Sequence, residues 1–394
     1  MSDKERQYRK GGPTQMKEYV AKYEDLYKIV KEMFIGIGYS DKQATAVTNS
    51  LVEADARHIH SHGTVMLPTY LGYIETTGCL KLDAPDPTVV HETPVSFVMD
   101  GHSGVGYVIA ETAVKKCIKK AKESGICVAA VRYANHYGYA GHWSEMMADE
   151  GLIGITSTNT IRAVCPTRSA ERFLGTNPIA VAIPTVGDEP RFLLDMATCV
   201  MAYGKICRSK VFAESGVLPD DIVVRPDGTT VTDFPEAIEV VAHGDTPDKI
   251  PVEPTGGIAP LGGTTELRSG YKGYGLAMLV ELLTGGFSGG IPSKFIPYAG
   301  EGVCFFFMAI APTVFGDPKA VLEHLKYIIE EYRKAQPISE DMPVLMPGDK
   351  ERHYREEALK NGIVLSDDIV GKLRAVAQRV GKETEFEKVF TVKE

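Results

Sequence analysis

The chain has 394 residues, 44% of them hydrophobic and 24% charged, enough for two or three structural units around a large core. Its net charge of -9 comes without any basic block, which excludes a phosphate-backbone partner. No apolar run reaches the roughly 18 residues that a membrane span requires; the best candidate, 276–287, is broken by Glu281.

The first residues, MSDKERQYRKGGPTQ, are polar and lack the apolar stretch of a signal peptide, so residues 1–15 are expected to be a mobile tail. The 7 cysteines are scattered without a CxxC pair, which points to free thiols in a reducing cytoplasm. Helices follow. Ser40 and Gln43 have the spacing of a capping box, and behind them Ala44, Val47, Leu51 and Ala54 recur at helical intervals, predicting a helix to about Arg57.

The next stretch alternates His58, His60 and His62 with Ile59 and Ser61. As a strand it would put three imidazoles on one face and offer a metal site. As a helix C-terminus it would merely favour histidine through the dipole. A polar Ser61-His62-Gly63 turn then leads to a helix bearing Leu67, Tyr70, Leu71 and Ile74.

Residues 79–100 are β-like and end in VSFVMD. A glycine turn, a helix with its apolar stripe on Val114, Cys117, Ile118 and Ala121, and the strand ICVAAV complete a β-Gly-α-β unit. Its glycines, Gly101, Gly104 and Gly106, have GxxGxG spacing, and no acid closes the second strand, so a Rossmann dinucleotide fingerprint is excluded. After the strand come Asn135, His136, Tyr137 and Gly138. A polar, glycine-bearing turn at a strand end holds a reactive side chain well, and imidazole titrates near neutrality. His136 is therefore the candidate acid/base, set against the plainer reading of a structural histidine.

LIGITS is the next strand and ends at Thr158-Asn159-Thr160. Gly175-Thr176-Asn177-Pro178 is a turn before an apolar strand, and FLLDMAT places Asp195 at another strand end. Residues 213–268, rich in Pro, Gly, Asp and Thr, read as a long loop insertion. GYKGYGLAMLVELL predicts a buried helix after a glycine turn, 303–311 a buried strand, and 319–334 an amphipathic helix through Val321, Leu325, Ile328 and Tyr332. Two further helices are expected over 350–360 and after a Ser366 cap. The pattern indicates a mixed α/β enzyme with a cofactor-sized cleft; the reaction is not derivable from it.

In order, SHG with LPxYL, NHYG with Gly141, LGTNP, DMAT, GYKGYGLAMLVELL and MPGD resemble the motifs of the type 2 malate/L-lactate dehydrogenase family, over about residues 20–380. That family includes ureidoglycolate and L-sulfolactate dehydrogenases and diketogulonate reductase. The resemblance implies an NAD- or NADP-dependent oxidoreductase acting on a 2-oxo or 2-hydroxy acid, a non-Rossmann fold with a mixed or antiparallel central sheet, and a cytoplasmic homodimer. It also implies a helical domain from both chain ends (16–85 and 315–394) and a cofactor/substrate domain over 86–314.

Residue by residue, the resemblance implies His136 and His62 as acid/base candidates positioned by Asn135 and Ser61, with Tyr70 on the substrate side. Asn159, Thr160, Asn177, Pro178, Asp195, Met196, Ala197, Lys272, Pro347, Gly348 and Asp349 are implied near the cofactor. One departure stands out. Many relatives carry a carboxylate-gripping arginine three residues after the SHG glycine, and here that position is Met66, which cannot supply a cationic fork. Arg162 or Arg168 is the expected substitute, against the alternative of surface arginines. Two rival functions are a metal-dependent hydrolase on His58, His60 and His62, and a cofactor-binding relative without activity.

Overall fold

The computed structural model describes residues 17–187, 189–242, 255–297 and 300–393; the expected tail over 1–15 lies outside them. Strand β1 (Glu18–Ala21) and helices α1 (Tyr23–Ile37), α2 (Asp41–Ala56) and α3 (Leu67–Glu75) come first. Strands β2 (Thr88–Thr93) and β3 (Ser96–Asp100), helix α4 (Gly106–Ser124), strand β4 (Ile126–Ala134) and helix α5 (Ala140–Asp149) follow. Strands β5 (Ile153–Thr158), β6 (Ile179–Ile183) and β7 (Phe192–Met196) then lead to short helices α6 (Tyr203–Arg208) and α7 (Lys210–Ser215).

Next are β8 (Val223–Val224), β9 (Thr230–Val231), α8 (Phe234–Ala242), β10 (Gly257–Ile258) and α9 (Gly270–Glu281). The chain ends with β11 (Val303–Ile310), α10 (Pro318–Arg333), α11 (Asp349–Asn361), β12 (Ile363–Ser366), α12 (Asp367–Arg379), α13 (Glu383–Glu387) and β13 (Thr391–Val392).

The central sheet has seven strands in the order β2-β3-β4-β11-β5-β6-β7. Only β3 and β4 run parallel, because helix α4 carries the chain back between them; the other neighbours are antiparallel. This is a mixed, non-Rossmann α/β fold. Strand β11 sits mid-sheet and is buried nearly throughout, which its run VCFFFMAI requires. One face packs on α4, where Ala113, Val114, Cys117 and Ala121 join Phe305 and Phe307 in the main core.

Helices from the two chain ends pack on the same core. Leu26, Val30 and Phe34 of α1 and Leu51 of α2 meet Val370, Leu373 and Ala377 of α12. The terminal segments are tied by a small sheet in which β1 pairs with both β12 and β13. The Ser40–Gln43 capping box is present in both directions, with Gln43 N–H donating to Ser40 Oγ at 3.3 Å and Ser40 N–H to Gln43 Oε1 at 2.8 Å. Ser366 caps α12.

Two expectations fail. The described residues of 213–268 are not a structureless excursion: β8, β9 and β10 form their own sheet, and with α8 they enclose a second core of Ile206, Leu218, Val223, Ala237, Val241 and Ile258. Strands of two residues are too short to show a period of two. Helix α9 is not buried all round either. Gly270, Gly273 and Ala277 face inward against the backbone of 261–263, leaving Tyr271, Leu276 and Leu279 exposed with Leu282 and Phe287 beyond. Helix α10 likewise buries only Ile329 fully, and Ile328 and Tyr332 of its expected stripe are exposed.

The capping box gives a direct test. Ser40→Ala removes the hydroxyl that accepts from Gln43 N–H, leaving the backbone N–H bond to Gln43 Oε1, and should lower unfolding free energy by about 1 kcal/mol, measured by denaturant titration with an unchanged m-value.

Candidate active site

Strand β4 ends at Ala134, and the chain turns at once through Asn135 and His136. The turn is fixed from inside. Asn135 is fully buried, and its amide donates to the carbonyls of Ser103 (2.8 Å), Gly104 (3.1 Å) and Cys79 (3.2 Å). Helix α4 begins against the same turn: a Cβ on Gly106 would lie 2.1 Å from the carbonyl oxygen of Asn135 and 2.3 Å from that of His136. Only glycine permits that approach.

The His136 ring is half-buried. Its Nδ1 is hydrogen-bonded to the Tyr70 hydroxyl at 2.7 Å, and Gly138 N–H donates to the same nitrogen at 3.3 Å. An incoming N–H marks Nδ1 as an acceptor, so the neutral ring carries its proton on Nε2. Burial, with the neighbouring His62 imidazole, pushes its pKa down to about 3. His136 is thus a neutral imidazole at physiological pH.

His62 stacks on His136 with ring centroids 5.6 Å apart and 20° between planes. Ser61 Oγ holds His62 Nδ1 at 2.9 Å. A residue that the sequence reading missed builds this turn. Asp55, wholly buried at the end of α2, accepts from Thr64 N–H (2.8 Å) and Thr64 Oγ1 (2.6 Å) and pairs with His60 Nδ1 (2.9 Å). A Cβ on Gly63 would strike its carboxylate at 2.0 Å.

The three-histidine metal face does not form. Residues 60–62 are a 3-10 turn rather than a strand, and although the His58 and His60 rings lie 5.2 Å apart, each histidine is turned to a different partner. His58 stacks on Tyr354 at 4.0 Å, His60 turns to Asp55 and His62 to Ser61. Among the described residues no cluster of three His, Cys, Asp or Glu side chains could hold a metal ion. The hydrolase alternative loses its ligands with it.

Met66 packs against the main core and presents no polar group. Of its two proposed substitutes, Arg168 is 77% exposed, pairs with Glu266 at 2.5 Å and lines a separate 330 Å³ cavity with Asp227 and Thr264. Arg162 is half-buried, donates to the Lys294 carbonyl at 2.9 Å, and directly follows Thr160 and Ile161. Ile161 and the Tyr73 hydroxyl of α3 both lie against Gly300, so this segment reaches the helix that carries Tyr70.

The two asparagines of this region are engaged inside the protein. Glu281, at the end of α9, accepts from Asn177 Nδ2 (3.0 Å), Asn159 Nδ2 (3.4 Å), Ser293 N–H (2.7 Å) and Ser293 Oγ (2.6 Å). Asn159 Oδ1 accepts from Cys304 N–H at 2.7 Å, and Asn177 also donates to the Ala277 carbonyl at 3.1 Å. Their amides therefore tie the end of β5 and the 175–178 turn to the end of α9. The lone charge within LVELL was the available signal for Glu281. Thr160 Oγ1 accepts from Thr176 N–H at 3.0 Å, while Pro178 leads into β6.

Asp195 is surrounded by protein on most sides yet its side chain is open to solvent, as on a cleft floor. Its Oδ2 accepts from Gly141 N–H at 2.9 Å, at the N-terminus of α5, while burial pushes its carboxyl up to about 6. Met196 and Ala197 follow, half-buried. The MPGD turn docks on the same strand: Leu193 N–H donates to the Pro347 carbonyl at 3.0 Å, and Gly348 (φ 94°) lies against Leu193. Asp349 is held by Arg333 and Arg352, the latter at 3.0 Å. Lys272 is exposed on the first turn of α9. An exposed carboxylate beside small side chains fits a ribose diol, and a solvent-facing lysine fits a phosphate.

Comparison with known proteins decides the family. A family model described as malate/L-lactate dehydrogenase matches residues 21–374. The chain belongs to the malate/L-lactate dehydrogenase family. It is 36% identical to a malate dehydrogenase of Pyrococcus horikoshii, over 91% of this chain and 94% of that one. It is 31% identical to an L-sulfolactate dehydrogenase of Methanocaldococcus jannaschii, over 93% and 98%. The solved structure of the Pyrococcus horikoshii malate dehydrogenase superposes with a TM-score of 0.80 at 34% identity, covering 92% of this chain and 95% of that one. Among the described residues no helix is long and apolar enough to cross a membrane.

Burial of neutral histidines makes stability pH-dependent. His142, between Tyr139 and Trp143, is held down to about 4 by burial. Below pH ~6.5 the unfolded chain takes a proton that the folded chain refuses, so this stability is present above pH ~6.5 and is lost as the pH falls toward 4. His142→Gln should flatten the decline of Tm between pH 6.5 and 4, a contribution of up to about 3 kcal/mol.

Proposed function

We propose that the protein is an NAD- or NADP-dependent dehydrogenase that interconverts a 2-oxo acid and a 2-hydroxy acid. The observation that carries this reading is the half-buried His136 imidazole, anchored at Nδ1 by Tyr70 and stacked on His62, in a chain of this family. Relatives named malate, L-sulfolactate and ureidoglycolate dehydrogenase support the substrate class.

The nicotinamide supplies the hydride that adds to the carbonyl carbon. As the carbonyl π pair moves onto oxygen, the imidazolium form of His136, with Nδ1–H turned to Tyr70, gives that oxygen its Nε2 proton; in the oxidation direction the bare Nε2 of the Nδ1–H ring takes it back. His62 orients the reacting group or serves as the alternative donor, steadied by Ser61. Tyr70 holds His136 from behind rather than facing the substrate, since its hydroxyl is committed to Nδ1. Arg162, on the segment beside α3, grips the carboxylate in place of the arginine absent at Met66. Asp195, Thr160, Met196, Ala197, Lys272 and the Pro347–Asp349 turn hold the cofactor, while Asn159, Asn177 and Pro178 shape its wall. The exposed apolar faces of α9 and α10 support a homodimer, since apolar patches of this kind mark protein contacts.

The test is turnover of a panel of 2-oxo acids with NADH and with NADPH, followed at the absorbance of the reduced nicotinamide. His136→Asn should lower kcat by about 10²–10⁴-fold and His62→Asn by less; equal, small losses would refute both assignments.

Arginine choice is a separate prediction. Arg162→Ala should raise KM for the 2-oxo acid at least about tenfold, because a charge-assisted bidentate contact is lost. Arg168→Ala should leave KM unchanged, and the reverse pattern would shift the carboxylate site to the other cavity.

A further inference from the structure

Behind His136 lies a second buried hydroxyl. Tyr107, on the first turn of α4, bonds the Tyr70 hydroxyl at 2.7 Å. Both tyrosines are 1% exposed and their rings meet edge to face. His136 Nδ1, Tyr70 and Tyr107 therefore form one chain of hydrogen bonds running away from the cleft.

We propose that Tyr107 is a positioning residue for the acid/base, acting through Tyr70 to let His136 Nδ1 hold a proton in one state and accept a hydrogen bond in the other. The proposal rests on the dehydrogenase reading for its catalytic meaning. While His136 is neutral, Tyr107 O–H donates to Tyr70, Tyr70 O–H donates to Nδ1, and the ring proton faces the cleft on Nε2. When the ring is an imidazolium, Nδ1–H must donate. Tyr70 then accepts, and its own O–H needs another acceptor; Tyr107 is that acceptor. Both hydroxyls rotate and keep their protons, so no phenolate forms. Burial strongly disfavours phenolate at both positions.

The groups facing His136 are His62 from the 60–62 turn, Tyr70 from α3, Tyr107, through Tyr70, from α4, and the Gly138 N–H, which loses its acceptor when Nδ1 takes a proton. His62 and burial both oppose the charged ring. The hydroxyl chain is what accommodates it. Ser50 Oγ, buried and without a hydrogen-bond partner among the described residues, lies beside the reversed chain: it is 2.7 Å, and the Tyr107 hydroxyl 3.0 Å, from the point a Gly138 Cβ would occupy.

The experiment is ¹⁵N NMR of histidine-labelled full-length enzyme, free and with oxamate plus NADH or NADPH as an unreactive 2-oxo acid complex. The free wild type should show a bare Nδ1 and a protonated Nε2. In the complex, Tyr107→Phe should lower the His136 titration midpoint by about one pH unit, equivalent to about tenfold in the protonated fraction. The loss of reductive kcat should then recover at lower pH with KM unchanged. Tyr39→Phe, which removes another buried hydroxyl near Tyr107, should shift nothing. An unshifted or raised midpoint in Tyr107→Phe, equal shifts in both variants, or a proton on Nδ1 in the free wild type would overturn the proposal. Failure to bind oxamate with either cofactor would count against the dehydrogenase reading instead. The chain would then be judged in the free enzyme, where Tyr107→Phe must move the ¹⁵N resonance of His136 Nδ1 and Tyr39→Phe must not; an unmoved resonance in Tyr107→Phe sinks the proposal.

Discussion

The site depends on one buried amide. Asn135 donates to three backbone carbonyls from two different loops, at 79 and at 103–104, and so pins the end of β4 where those loops meet. A buried NH2 group is costly to leave without acceptors, so the loops and the strand end are fixed together. His136 is the next residue and inherits that rigidity. Helix α4 presses on the same turn from the other side through Gly106, whose missing side chain leaves room for two carbonyl oxygens. A wider turn would swing the imidazole away from His62.

A second anchor works at the opposite wall. Glu281 accepts four hydrogen bonds from Asn159, Asn177 and Ser293. Those residues stand at the ends of β5, of the Gly175–Pro178 turn and of the segment before β11, so one carboxylate joins three chain segments. The arrangement explains why a charge interrupts an otherwise apolar stretch. It also explains why Asn159 and Asn177 serve the cleft through its shape: their side-chain groups are already spent on the network. Asp55 does for the His62 turn what Glu281 does here, and again a glycine, Gly63, makes room for the acid.

Legibility in the sequence followed the length scale of the signal. Local signals held: the Ser40 box, the Ser366 cap, and the strands ICVAAV and VCFFFMAI all have counterparts in the fold. The failed GxxGxG match correctly excluded a Rossmann unit, although a single parallel βαβ step is present at β3-α4-β4. The motifs singled out His136 and His62, whose rings stack in the fold, but not what lies behind them. Tyr107 and Asp55 act through contacts 37 and 9 residues distant in sequence, to Tyr70 and Thr64, and no periodicity reports such pairs. Histidine alternation misled because a strand spacing was read into a turn whose backbone reverses at His58 (φ 60°). The 213–268 stretch misled for another reason: two-residue strands are held by their own small core, not by any pattern along the chain.

The electrostatics of the cleft follow from the same packing. His136 is neutral because protein surrounds it and because the stacked His62 is itself an imidazole that disfavours a second charge. Asp195 is pushed the other way for the same reason: burial penalises whichever form is charged, lifting a carboxyl and depressing an imidazole. In the free site the His136 imidazole is therefore uncharged near neutral pH. A site so arranged responds strongly to an anion, since a carboxylate brought beside a buried neutral imidazole favours its protonated form. Under the proposed reaction the substrate's own carboxylate would supply the field that readies the acid.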